Sequence, residues 1–545
     1  MPEDAAAAVP AARVPLRGRV HEFAAQHWLF ALALVLAAVL RAFAVLAYRP
    51  VQWFNDSFPY VTAAVHLVPE TIRPSGYALL LAALEPLHRF AAVTGVQHLL
   101  GLATGAGVYA VLRVRGVRAL VATLAALPVL LDAYEIQLEH LVMADTLFMF
   151  LVTAGVVLLC LRNQPGWILA GAAGLLLGAS AVVRTDGRPL LVVVALCLIV
   201  RRAGWRPVVA LAVTGLLPLA AYAGWFHVAR GPYALTGGDG AFLYSRAMAF
   251  ADCAQMNPPP SLRPLCDNRP PAKRPPSADY VWDSNPLRTY AGNPWGARAS
   301  SLGGQFAWLA LRRQPAAYLY VVAEDVARTF SLSRSLQFPD PATASQYQFA
   351  THNAAPPGWA PFADLHAYQP SGVTTHVYRP YSSLLVRYQR YFYFRGPLLL
   401  LTLLIGGAWV VTGRRRGAPG LLPWCVAVAL IAVPPATAGF SYRYVLAAIP
   451  CACIAAGMAA VPGRIRRSPQ APQPAGDAGV GQPLRVGGGQ PAGPAASQRP
   501  AGPAGGEQPA GPAAGEPASG PVAGDEQTGP GEPRVPAELD NTAPA

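Results

Sequence analysis

Ten apolar runs separated by short charged segments dominate the chain. The first covers about residues 28–47. It is followed by VQHLLGLATGAGVYAVL (96–112), ALVATLAALPVLLDAY (119–134), DTLFMFLVTAGVVLLCL (145–161), WILAGAAGLLLGASAVV (167–183), PLLVVVALCLIV (189–200) and a run over about 207–228. Three more lie near 396–412, 419–438 and 443–461. Because about 20 consecutive apolar residues cross a bilayer as a helix, the pattern predicts an all-α membrane protein with about ten transmembrane helices.

Basic clusters give the orientation. Arg13, Arg17 and Arg19 precede the first run, and RVRGVR, Arg162, RRAGWR, GRRRG and GRIRR follow the second, fourth, sixth, eighth and tenth. Arginine-rich loops face the cytoplasm, so both termini and these loops fall on one side. The RTDGR turn is the exception, with two arginines outside, partly offset by Asp186. WLFALALVLAAVL followed by RAFA also has the look of a cleaved signal peptide. The long leading segment and Arg41 beside the cut argue against that reading, and Asp56 is external under either one.

The remaining segments have other patterns. The predicted organisation is a cytoplasmic N-terminal segment (1–27), a transmembrane module (28–228) with a first external loop (48–95), a large external segment (229–393), three last transmembrane helices (394–462) and a tail (463–545). In the first loop, SGYALLLAALEPLHRF has an apolar face but is interrupted by Glu85, Pro86, His88 and Arg89. That suits a helix lying on the membrane surface. LGGQFAWLALRRQPAAYLYVVAEDVARTF, in the external segment, predicts one or two amphipathic helices. The tail repeats PAGPA-like units with few bulky apolar side chains to bury, and reads as a disordered cytoplasmic extension.

Composition sharpens the membrane assignment. The 545 residues are 53% hydrophobic and 13% charged, with a mean hydropathy of +0.32 even though the polar tail is included. A soluble chain carries roughly 25% charged residues. The net charge of +14 follows from the cytoplasmic basic loops, so it does not call for nucleic acid as a partner. Of seven cysteines, Cys160, Cys197, Cys425, Cys451 and Cys453 lie in apolar runs. Cys253 and Cys266 lie in the external segment, where an oxidising compartment allows a disulfide, with free thiols as the alternative. No metal site is expected, since His352, His366 and His376 are scattered and no cysteine pair has ligand spacing.

The acids gather at one level of the topology. Asp56 follows the first run; Asp132, Glu135, Glu139 and Asp145 surround the turn between the third and fourth; Asp186 follows the fifth; SYRY (441–444) occupies the last external turn. None sits in the middle of a span. A coupled transporter keeps ionisable groups near mid-membrane on broken helices in related halves, so a site at the outer interface is the better reading.

In order, D-S-x-x-Y after the first run, RPSGYALLL, VQHLLGL…VYAVLR, ADTLF, VVRTDGRPLL and a late YRY before AAIP resemble the GT-C superfamily of integral membrane glycosyltransferases. The chain is similar to the polyprenyl-phosphate-sugar-dependent branch, which includes protein O-mannosyltransferases and lipid A aminoarabinose transferases. The similarity covers about residues 28–462, and Asn55-Asp56 stands where the mannosyltransferases have an Asp-Glu pair. The resemblance implies inverting transfer of a sugar from a polyprenyl-phosphate donor to an acceptor hydroxyl outside the cytoplasm, at the plasma membrane, with no cofactor indicated. A phosphate is a competent leaving group, so one base and a few cations suffice.

Asp56 is the first choice for that base, with Trp53, Phe54, Phe58 and Tyr60 excluding water and desolvation raising its basicity; the alternative is a cap on a helix starting at Ser57. Asp145 positions the acceptor or a cation, or caps its helix. Glu139 and His140 line the same cavity or a solvated turn. Arg184 and Arg188 bind phosphate or anchor at the headgroups. Arg443, between Tyr442 and Tyr444, is the stronger phosphate candidate, and Arg73 is another. A transporter or flippase of lipid-linked sugars and a non-enzymatic scaffold presenting the tail are the competing function classes.

Overall fold

The computed structural model describes residues 16–282, 286–338, 344–413 and 419–461, with side-chain environments from residue 25 onward. Residues 1–15 and 462–545, which include the whole predicted tail, lie outside the described residues. The longer helices are α1 (Leu16–Ala47), α2 (Ser57–His66), α3 (Gly76–Leu84), α4 (Phe90–Val114), α5 (Ala119–Leu131), α6 (Ala133–Glu139), α7 (Asp145–Cys160), α8 (Trp167–Val183), α9 (Arg188–Val200), α10 (Trp205–Arg230), α11 (Asp239–Met248), α12 (Ala297–Arg313), α13 (Pro315–Thr329), α14 (Tyr381–Tyr391), α15 (Gly396–Thr412), α16 (Leu421–Thr437), α17 (Tyr442–Leu446) and α18 (Ile449–Gly457). The fold is an all-α membrane protein. Among the described residues, four helices are long and apolar enough to cross a bilayer, or up to six spans result if each of two bent pairs counts as one.

Each of the ten apolar runs coincides with helix, yet length separates them. At 1.5 Å per residue the 17 residues of α8 rise about 25 Å, short of the hydrocarbon thickness. Leu32, Val35, Leu36, Leu175, Val213, Leu216 and Leu217 are exposed on these helices, which is where lipid tails would cover them.

Two mechanisms hold the helices together. Where α8 meets α10, Gly174 and Gly178 let the backbones touch: a Cβ on Gly178 would stand 2.2 Å from the carbonyl oxygen of Gly215, and one on Gly174 would stand 2.4 Å from that of Leu211. Small residues four apart permit this approach between membrane helices. Gly178→Leu is therefore expected to force α8 off α10 and destabilise the protein by about 1–3 kcal/mol or more. Gly224→Ala, where a Cβ meets open space, is the control, and thermal denaturation in detergent reads both.

Elsewhere, broken helices are locked by a shared carboxylate. The α5–α6 pair bends by 52° and the α14–α15 pair by 56°. Asp132, at the first break, accepts from the amides of Tyr134 and Glu135 with one oxygen and from that of Phe394, at the second break, with the other. The exposed backbone amides at both breaks are satisfied by one side chain, so the two bends stay in register.

β1 (Tyr48–Arg49) pairs antiparallel with β2 (His376–Val377), with Tyr48 opposite Val377. This ties the loop after α1 to the segment before α14. A second hydrophobic core, including Tyr244, Met248, Leu265 and Phe306, forms between α11 and α12. Arg246 of α11 donates to Asp325 of α13 across a buried 2.7 Å ion pair. The amphipathic stretch is two helices, split between Arg313 and Pro315 because proline starts a helix more readily than it continues one. Cys253 and Cys266 are joined by a disulfide.

Candidate functional site

The loop after α1, α7, the turn after α8 and α17 meet at one end of the helices, bringing together residues hundreds of positions apart. Asp56 stands at the cap position of α2 but makes no capping bond. The Ser57 hydroxyl accepts from the Phe54 amide instead. Both carboxylate oxygens go to arginine: Arg73 Nη2 donates to Oδ1 at 2.6 Å and Arg443 Nη1 to Oδ2 at 2.8 Å. The helix-cap alternative is thus not the one the side chain adopts.

Each arginine is positioned by its own surroundings. A tight turn presents Arg73, its amide and that of Ile72 donating to Glu70 Oε2 at 2.5 and 3.0 Å, and its guanidinium lies over Trp282 at 5.1 Å. Arg443, in the first turn of α17, lies between the rings of Phe54 at 5.0 Å and Tyr444 at 5.2 Å. Its Nε is buried with no hydrogen-bond partner among the described residues. Burial alone would push the Asp56 carboxyl up, but the charges of Arg73 and Arg443 outweigh it and hold the group at about 2. The expectation that desolvation raises its basicity is therefore overturned for the resting site.

A second ionic group adjoins the first. Asp145, at the start of α7, accepts from Arg184 Nη1 at 2.7 Å, and Arg184 Nη2 reaches Asp186 at 3.1 Å. The Arg184 guanidinium lies 4.7 Å from the centre of the Tyr444 ring, so this tyrosine stands between the arginines of the two groups. Asp145 Oδ2 is buried without a partner among the described residues.

Other predicted residues go elsewhere. Arg188 is held by Asp239 at 3.0 and 3.2 Å, a half-exposed pair joining α9 to α11, and makes no hydrogen bond to either ionic group among the described residues. Tyr442 packs edge-on against Tyr134 at 5.2 Å and beside Phe338 at 5.1 Å, a core position. In a helical turn, residues two apart point to opposite sides, which is why Tyr444 takes the site position. Tyr60 is buried with its ring edge-on to Tyr77 at 5.1 Å, and burial pushes its hydroxyl up. Trp53 and Phe58 stack on each other at 5.5 Å.

Glu139 and His140 belong to a different assembly, neither in a solvated turn nor with Arg443. Glu139 is fully buried and accepts from Arg41 Nε at 2.7 Å and Nη2 at 2.5 Å, while His98 Nδ1 lies 2.7 Å from it. His98 Nε2 is 3.1 Å from His140 Nδ1, and His140 Nε2 donates to the carbonyl of Tyr48 at 2.8 Å. Arg41 and His98 lie within apolar helices, so two basic groups sit inside helices that are long and apolar enough to span. Sequence reasoning passed over Arg41, His98, Asp186 and Tyr444 as site residues. Arg41 carried the clearest signal, because a charge inside an apolar run needs a buried partner. Among the described residues no group of three or more His, Cys, Asp or Glu side chains is arranged to hold a metal ion.

Fold and site together define a membrane protein with a buried ionic centre where the loop after α1 meets the ends of apolar helices. No protein-family profile matches the chain, and no curated protein matches it. Among solved structures it is similar to the S. cerevisiae protein O-mannosyltransferase Pmt1-Pmt2 complex bound to the sugar donor, at 18% identity and a TM-score of 0.31. That match covers 47% of this chain and 38% of the other. The functional reading rests on the residues themselves.

Proposed function

We propose that the protein is a membrane glycosyltransferase of GT-C type that moves a sugar from a polyprenyl-phosphate donor to an acceptor hydroxyl at the extracytoplasmic face of the plasma membrane, with inversion and with about ten spans. The observation that carries this reading is Asp56 buried between Arg73 and Arg443. Two guanidiniums around one carboxylate leave a net positive charge, and the unpartnered Nε of Arg443 is a spare donor for a phosphate.

The same geometry gives the donor a second task. With its carboxyl near 2, resting Asp56 is a weak base. A donor phosphate competes for Arg73 and Arg443, and once they turn to it, burial of Asp56 is no longer outweighed and its basicity rises. The acceptor oxygen then attacks the anomeric carbon as its proton passes to Asp56. The bond from that carbon to the phosphate oxygen breaks, and the polyprenyl phosphate departs with its charge held by the arginines.

The test uses purified full-length protein in nanodiscs with labelled polyprenyl-phosphate sugars and hydroxyl-bearing peptide, glycan and lipid acceptors. Donor-dependent labelling of an acceptor with stoichiometric release of polyprenyl phosphate is expected. Donor binding without turnover for every acceptor class would sink the enzyme reading. A second reading, proton-coupled movement of a lipid-linked sugar, draws support from the Arg41–Glu139–His98–His140 network within the helices. It predicts pH-gradient-driven flux in sealed vesicles with no acceptor labelled.

A further inference from the structure

The two ionic groups differ in sign. Asp56 with Arg73 and Arg443 carries one excess positive charge, whereas Arg184 with Asp145 and Asp186 carries one excess negative charge. Tyr444 stands between Arg443 and Arg184, so the poles share a wall. At the negative pole lies a cavity of about 10 Å³ lined by Asp145, Arg184, Asp186, Tyr444, Phe148 and Pro434, among others. That is the room of about one water molecule. It admits a single hydroxyl or amino group and excludes a sugar ring.

Chemistry narrows the occupant. The Asp145 side chain is 6% exposed, lines this cavity, and its Oδ2 has no hydrogen-bond partner among the described residues. A buried carboxylate oxygen left bare is a strong acceptor awaiting a donor. Arg184 is already shared between two carboxylates, so it does not offset a third negative charge. A hydroxyl or ammonium group satisfies Asp145; a carboxylate cannot donate to it, is too large for the cavity, and meets like charge.

We propose that this cavity reads one exocyclic hydroxyl or amino group of the transferred sugar and rejects uronic acids, making Asp145 a specificity-determining residue and the site a bipolar one, phosphate at Asp56's arginines and sugar at Asp145. The proposal rests on the glycosyltransferase reading above. A phosphate-linked sugar placed across two poles of opposite sign has one favoured orientation, which directs its anomeric carbon toward Asp56.

The test measures binding to detergent-purified full-length protein of a ten-carbon isoprenyl phosphate, alone and carrying a neutral hexose, an amino sugar or a hexuronic acid. Wild type is expected to bind the better of the neutral and amino probes at least tenfold more tightly than the hexuronic acid probe. Asp145→Asn is expected to shrink that ratio below threefold and leave isoprenyl phosphate itself within twofold of wild type. Asp186→Asn, which removes the other negative charge, should move the ratio the same way. Equal binding of the hexuronic acid probe by wild type, or an unchanged ratio in both variants, overturns the proposal while leaving the donor reading intact. Failure of isoprenyl phosphate alone to bind overturns the donor reading and this one with it. Should neither variant fold, the wild-type ratio decides.

Discussion

Asp56→Asn is expected to lower transfer by about 10²- to 10⁴-fold, the range for loss of a general base, while donor binding is retained or strengthened. The reason is the shared pair of cations. In the wild type, Asp56 occupies Arg73 and Arg443, and a phosphate must compete with it. An amide cannot take a proton from the acceptor, but it also binds guanidinium less strongly, so the arginines turn to the phosphate more readily. A fall in turnover joined to an unchanged or lower donor KM is therefore the signature, read by initial rates over a donor titration. Parallel loss of turnover and of donor binding would instead mean that Asp56 only holds the arginines in place.

The same carboxylate has a pH signature in the folded protein without donor. Its folded value, about 2, lies below the ordinary 3.8. A depressed value means the ion pairs add stability that is fully present above about pH 4 and is lost as pH falls toward 2, an effect on the order of 2 kcal/mol. Asp56→Asn should flatten that part of the acid-denaturation profile.

The second large effect is one of stability. Arg41→Met is expected to destabilise the protein by about 3–5 kcal/mol, since it leaves Glu139 buried without its bidentate partner. Arg41 Nη1 also donates to the carbonyl of Leu130 at 2.8 Å, at the end of the bent helix α5, so its loss frees a buried carbonyl as well. The double variant Arg41→Met, Glu139→Gln should recover part of the loss, because no unpaired charge remains. Thermal denaturation in detergent across the four proteins of this cycle gives the coupling energy. An additive double variant would show that the pair contributes no specific interaction. If flux, rather than stability, is what changes in sealed vesicles, the transport reading gains over the transferase one.

Much of the architecture was legible in the chain because a bilayer imposes a strict local rule. Every backbone group in hydrocarbon must be satisfied within its own segment, so apolar runs become helices whatever their neighbours do. The boundaries at Asp145, Trp167 and Thr412 follow from that alone. The length of each run did not fix which helices cross on their own, because helices such as α7 and α8 are shorter than a span and the bent pairs combine two. The break at Asp132 depends on an amide contributed by Phe394, far along the chain.

The site divides along the same line. Asp56, Arg73, Asp145, Arg184 and Arg443 stood out in the sequence because charged residues beside apolar runs are few. Which charges pair was beyond local reasoning: Arg184 chose Asp145 over a headgroup, Arg188 went to Asp239, and Glu139 went to Arg41 inside the helices. Pairing is decided by distances of a few ångströms between segments tens to hundreds of residues apart, and such distances are set by helix packing. The sequence by itself determined the helices and the charge available to the site. Only the tertiary structure decided that Asp56 is masked by two arginines, that Tyr444 rather than Tyr442 separates the poles, and that Asp145 keeps one bare oxygen, because Coulomb energy at contact in a buried setting far exceeds any preference encoded in neighbouring residues.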